Sequence, residues 1–121
     1  MASLVKIASG STTPGSTNWK SYGTRGIYVD VSTSFARITG TPVYVTSLGG
    51  NSHHWQAIGA TSIYQPTATG FRVYVRWLDG GSLTPAQANE LKWHINWIAM
   101  EQDPRVFFRV GEVDLPDPQI G

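Results

Sequence analysis

The chain has 121 residues, a formal charge of +1 and only 14% charged residues. It therefore makes one domain with room for a core, and it lacks the basic stripe that a nucleic-acid binder carries. It contains no cysteine, which removes disulfides, thiolate metal sites and a cysteine nucleophile from consideration.

Met1 to Gly10 holds one lysine and no sustained apolar run, so neither a signal peptide nor a membrane span is expected. A cytoplasmic or non-classically secreted protein is the corresponding expectation. Leu4 to Ala8 alternates and reads as a first edge strand. Ser9 to Asn18 is a loop of Gly, Ser, Thr and Pro, anchored by Trp19, and Ser21 to Gly26 is rich in turn residues. Ile27, Val29 and Val31 share one side of the next strand. The connection from Ser32 to Thr41 should tuck Phe35 and Ile38 beneath it. Pro42 opens a strand over Val43 to Leu48, the strand-initial place where proline is tolerated.

After the Gly49-Gly50-Asn51-Ser52 loop come His53 to Ile58, then Gly59 to Tyr64, which reads as a strand with a glycine bulge at its entry. From Gly70 to Trp77, apolar Phe71, Val73, Val75 and Trp77 alternate with Arg72, Tyr74 and Arg76. Thr84-Pro85-Ala86-Gln87 starts a short helix, with Thr as N-cap, Pro at the first helical position and Gln closing a capping box. From Lys92 to Ala99 the odd positions Trp93, Ile95, Trp97 and Ala99 are apolar, whereas Lys92, His94 and Asn96 are polar. Period two marks a half-buried strand, since successive side chains leave opposite faces. Arg105 to Val113 reads as a further strand or an arm, and Leu115 to Gly121, with Pro-Asp-Pro, as extended.

These elements predict an all-β fold: an antiparallel β-sandwich of about six or seven strands in residues 1–103, with one short helix around 84–91 and an extension over 104–121. Tyr44, Tyr74, Arg72, Arg76, His94 and Asn96 should lie on an outer sheet face, an aromatic-polar surface of the kind that forms subunit interfaces.

In this order the sequence resembles the H-type lectin family, over about residues 5 to 101. The likeness is carried by Ser9-Gly10, Trp19, the Pro42-Val43-Val45-Leu48 strand, the Thr69-Gly70-Phe71 turn and the closing Trp97-Ile98-Ala99. The resemblance implies a non-enzymatic homotrimer without cofactor or metal. It also implies multivalent binding of galactose- or N-acetylgalactosamine-type glycans at subunit boundaries, with no insertion into membranes. In that family sugar hydroxyls are held by an Asp after a loop Gly, by an Arg, and by a Trp-His pair. The matching positions here depart from the pattern. Gly23 is followed by Thr24-Arg25, the arginine falls near Gln56 within His54-Trp55-Gln56, and the pair aligns with Leu78-Asp79, Trp77 standing one residue early. The implied sugar-binding set is thus Gly23, Arg25, His54, Gln56, Trp77 and Asp79.

Read from the residues themselves, Trp77 and Asp79 offer an aromatic plate and a planar carboxylate, the pair that sugar recognition needs. Alternatively Trp77 continues the core face and Asp79 begins an Asp-Gly turn. His53-His54-Trp55 can bind a sugar at a subunit edge; as a metal site it is weak, because adjacent histidines diverge on an extended segment. His94 and Asn96 read as a polar layer around a threefold axis, and Arg25 as a reach into a neighbour or a solvated side chain. Neither Gly-x-Ser-x-Gly nor His-Glu-x-x-His occurs, so no enzyme is expected. The rival to a lectin is a trimerising structural or attachment module whose residues 104–121 contact a partner.

Overall fold

The computed structural model describes residues 5–102. It is an antiparallel β-sandwich of eight strands: β1 (Val5–Ser11), β2 (Lys20–Tyr22), β3 (Gly26–Ser32), β4 (Val43–Gly49), β5 (Ala57–Ile58), β6 (Tyr64–Thr67), β7 (Gly70–Trp77) and β8 (His94–Gln102). Among the described residues a single α-helix, α1 (Pro85–Glu90), lies on the crossover from β7 to β8. One sheet has the order β1-β8-β4; the other runs β2-β3-β7-β5, with β6 also paired to β7. The expected arm at Arg105 to Val113 and the rest of the extension lie outside the described residues.

The core follows the period-two pattern. Trp93, Ile95, Trp97 and Ala99 are buried on one side, facing Ile27, Val29, Val31, Phe71, Val73 and Val75 of the other sheet. Two indoles fix the loops around this core. Trp19 Nε1 donates to the Trp93 carbonyl at 3.2 Å, and Trp93 Nε1 donates to the Ser52 carbonyl at 2.9 Å. Gly10 sits where a Cβ would stand 2.6 Å from Trp97 Cζ2, so only glycine lets β1 cross the broad indole.

Thr84 caps α1 as its sequence suggests, its Oγ1 accepting from the Gln87 amide at 3.1 Å. Asn89 then clamps the first loop. Its Oδ1 accepts from the Thr17 amide at 3.0 Å and its Nδ2 donates to the Thr17 carbonyl at 3.0 Å. The side-chain amide thereby replaces a strand neighbour for a buried backbone unit.

Four expectations are corrected. The expected strand from Gly59 to Tyr64 is not formed: Gly59 takes φ 107°, the chain turns after β5, and only Tyr64 is extended, as the first residue of β6. The strand after α1 starts at His94, because Lys92 adopts a left-handed φ of 63°. Tyr44 points inward, its hydroxyl bonded to the Thr67 carbonyl at 2.5 Å and to Thr33 Oγ1 at 2.9 Å. Ile38 is buried, but Phe35 is 68% exposed and rests against Trp97 from outside.

The remaining polar positions do not form one surface. Arg72, Tyr74 and Arg76 belong to β7 in the larger sheet, whereas His94 and Asn96 belong to β8 in the smaller one. They lie on opposite outer faces of the sandwich.

Candidate functional site

The side chains with the most open chemistry gather where β7 leaves its sheet. His53 takes a left-handed φ of 67° and starts a 3-10 turn over His54–Gln56. The Gln56 amide closes that turn on the His53 carbonyl at 3.0 Å, and the Gln56 carbonyl accepts from the Leu78 amide at 2.8 Å. Ala57 of β5 pairs with Trp77 of β7. These backbone bonds join the turn to the loop after Trp77, and between them lies a cleft of about 620 Å³.

Trp55 stands at its rim, 82% exposed. Trp77, Leu78 and Asp79 line the opposite side, with His53 and Gln56 between. The core and turn reading of Trp77 and Asp79 holds, and both residues also line the cleft. The Trp77 ring packs edge-on against Trp93, with centroids 5.0 Å apart, and its Nε1 donates to the Ser82 carbonyl at 3.1 Å. It is part of the core wall and of the cleft together. Asp79 Oδ1 accepts from the Gly81 amide at 2.8 Å, which makes the Asp-Gly turn and fixes the carboxylate at the mouth.

The structure therefore brings Gln56, Trp77 and Asp79 together. Arg25 Nη1 approaches the same loop, 3.8 Å from where a Cβ on Gly80 would be. Gly23 forms the β2–β3 turn at φ 65° with open space around it and does not line the cleft. His54 does not line it either. Its Nδ1 is the one buried side-chain polar atom among the described residues without a hydrogen-bond partner.

Trp55 is the residue that the family pattern passes over. The signal for it was present: an indole among Ser52, His53, His54 and Gln56, with no apolar alternation to pull it inward. An open indole offers a flat CH-binding plate, and Asp79 and Gln56 in the same lining offer acceptor and donor atoms. Among the described residues no three His, Asp or Glu side chains gather as metal ligands. Comparison with protein families finds no matching family model, and comparison with curated proteins finds no match.

Proposed function

We propose that the protein is a non-enzymatic carbohydrate-binding protein that holds a galactose-type sugar in the Trp55–Asp79 cleft and presents several such clefts in a homotrimer. The observation that carries this reading is Trp55. Its ring is almost fully open, yet the turn beneath it is held by backbone hydrogen bonds to the neighbouring loop. A large apolar ring kept in water on a rigid support suits the apolar face of a sugar, while Asp79 and Gln56 suit its hydroxyls. The likeness to H-type lectins agrees with a sugar ligand, although the residues that would hold it differ from that family's own. Trimerisation would convert weak single-site binding into avidity.

A glycan array read with purified protein tests this reading. Galactose-type glycans should bind, and both Trp55→Ala and Asp79→Ala should lose at least tenfold in affinity while leaving the thermal transition of the exposed-site variant Trp55→Ala unchanged. Silence across the array would overturn it.

The attachment-module reading draws support from the outer face of the three-stranded sheet. Its cross-strand rungs run Ile7–Met100–Val43 and Ser9–Ile98–Val45, then Ser11–Asn96–Ser47. Ile7, Val43, Val45 and Ile98 are 63%, 47%, 59% and 46% exposed. None of these positions carries a charge, and such a patch suits a covering subunit. Assembly through this face is common to both readings; sugar binding separates them.

A further inference from the structure

We propose that a second concavity, on the outer face of the five-stranded sheet, binds a carboxylate-bearing sugar, with Arg76 taking the carboxylate and Tyr22, Tyr64 and Tyr74 enclosing the ring. It is separate from the Trp55 cleft and does not depend on the reading given to that cleft.

The space measures about 420 Å³ and is lined by these four side chains together with Ile58 and Ser62, among others. Tyr74, on β7, stands at its centre. Tyr22 and Tyr64 flank it with ring centroids at 5.0 Å and 5.1 Å and planes turned by 66° and 88°. Arg76 follows Tyr74 on the same face. Its cross-strand neighbours are Gly26 on β3 and Ile58 on β5. Gly26 brings no side chain over the guanidinium, and the Tyr22 ring stands on that flank, its Cδ2 3.7 Å from where a Cβ on Gly26 would be.

The two arginines of this face differ in one decisive respect. Arg72 is spoken for: it donates from Nε and Nη2 to the two oxygens of Asp30 at 2.7 Å and 2.9 Å and lies 4.1 Å over the Tyr28 ring. Among the described residues Arg76 has only the Trp77 carbonyl, at 3.5 Å. Among the described residues the single ion pair is that of Arg72 with Asp30. A planar guanidinium with no carboxylate of its own takes one bidentately. Aromatic walls beside it bind CH faces, and their hydroxyls donate to or accept from ring oxygens.

A pyranose acid supplies all three groups in a body that fits a space of this size, which lies in the usual range for small-ligand sites. A neutral hexose leaves the charge to water. An acidic peptide satisfies the charge but does not present a compact CH face to the rings.

The test titrates the full chain, carrying Trp55→Ala so that lactose cannot occupy the first cleft, with glucuronate and with sialyllactose, each beside its neutral counterpart (glucose, lactose), by ligand-observed NMR at low and high salt. The acidic member of each pair should bind in preference, and its binding should weaken as salt rises. Arg76→Gln should lower acidic-sugar affinity at least tenfold, and Tyr64→Ala should lower it as well. Both residues are exposed, so these variants keep the fold. Trp55→Ala should leave acidic-sugar binding unchanged, which separates failure here from failure of the first cleft. Equal binding of acidic and neutral partners overturns the proposal, as does acidic binding that survives Arg76→Gln. Preference for a polyglutamate peptide over glucuronate also overturns it and assigns the face to a protein partner.

Discussion

Arg72 grips Asp30 with two hydrogen bonds, and that grip sets the protonation of both groups. The bond from Arg72 holds the Asp30 carboxyl below its ordinary value of 3.8, against a smaller opposing effect of burial and with help from the nearby charges of Arg72 and Lys20. The same bond, then that to the Tyr74 hydroxyl, raises Arg72 above its ordinary value. A carboxyl depressed in the folded state stabilises the fold above its unfolded pKa, and that contribution is lost as pH falls through the lower folded value. Urea midpoints should therefore drop slightly as pH is taken below 3.8, and Asp30→Asn should flatten that part of the profile. The effect is small because the two side chains keep 23% and 52% of their exposure. An unchanged slope in Asp30→Asn would show that other carboxylates govern acid unfolding. At this scale the core was legible, since Trp93, Ile95 and Trp97 announce themselves by alternation and are buried. The site was legible only in part. Trp77 and Asp79 stood out as an aromatic and an acid at a strand end. Trp55 stood out only within His53-His54-Trp55, as part of an edge segment and not as an indole facing Asp79 across a cleft.

Among the elements, α1 shows local chemistry and tertiary contact agreeing. Thr84 and Pro85 set its start, Ala88 is fully buried, and Asn89 reaches across to the Thr17 backbone. Asn89→Ala would leave the part-buried Thr17 amide of the first loop without a partner, its carbonyl keeping the Trp19 amide. Its cost should be about 1–3 kcal/mol, the penalty for stranding such groups, read as a lower midpoint in denaturant. Asn89→Asp, which keeps the acceptor and loses the donor, should fall between Ala and the parent; a midpoint equal to the parent's for both variants would refute the clamp. The helix was readable because capping is a short-range matter. The stretch from Gly59 to Tyr64 was misread because Thr61, Ile63 and Tyr64 favour extended backbone while Gly59 turns the chain at positive φ, a feature that β-propensity does not encode. Tyr44 was misassigned to a surface for a related reason. Tyrosine tolerates either side, and here a buried threonine and a carbonyl satisfy its hydroxyl.

For the molecule as a whole, the all-β sandwich followed from the strand pattern, but which strands share a sheet did not. β7 and β8 both alternate, and nothing local tells that they face each other across the core rather than lie side by side. That is why one expected wet surface became two. The assembly proposed above would use the uncharged rungs of Ile7, Val43, Val45 and Ile98 on the smaller sheet. Val45→Lys should dissociate the oligomer, seen as a lower mass in size exclusion with light scattering, while the circular dichroism stays that of the parent. A parent protein that runs as a monomer would remove this face from any role in assembly.

β8, the last strand among the described residues, occupies the middle of its sheet, between β1 and β4. During synthesis the growing chain therefore carries two lone edges that cannot meet until the codons for His94 to Gln102 have been read. Half of the sandwich must wait for its keystone, so the domain closes late and through contacts distant in sequence, a topology associated with millisecond-to-second folding. Until that moment the nascent polypeptide exposes the very tyrosines and valines that later pack, and its dependence on chaperones should be greatest just before His94 to Gln102 are in place.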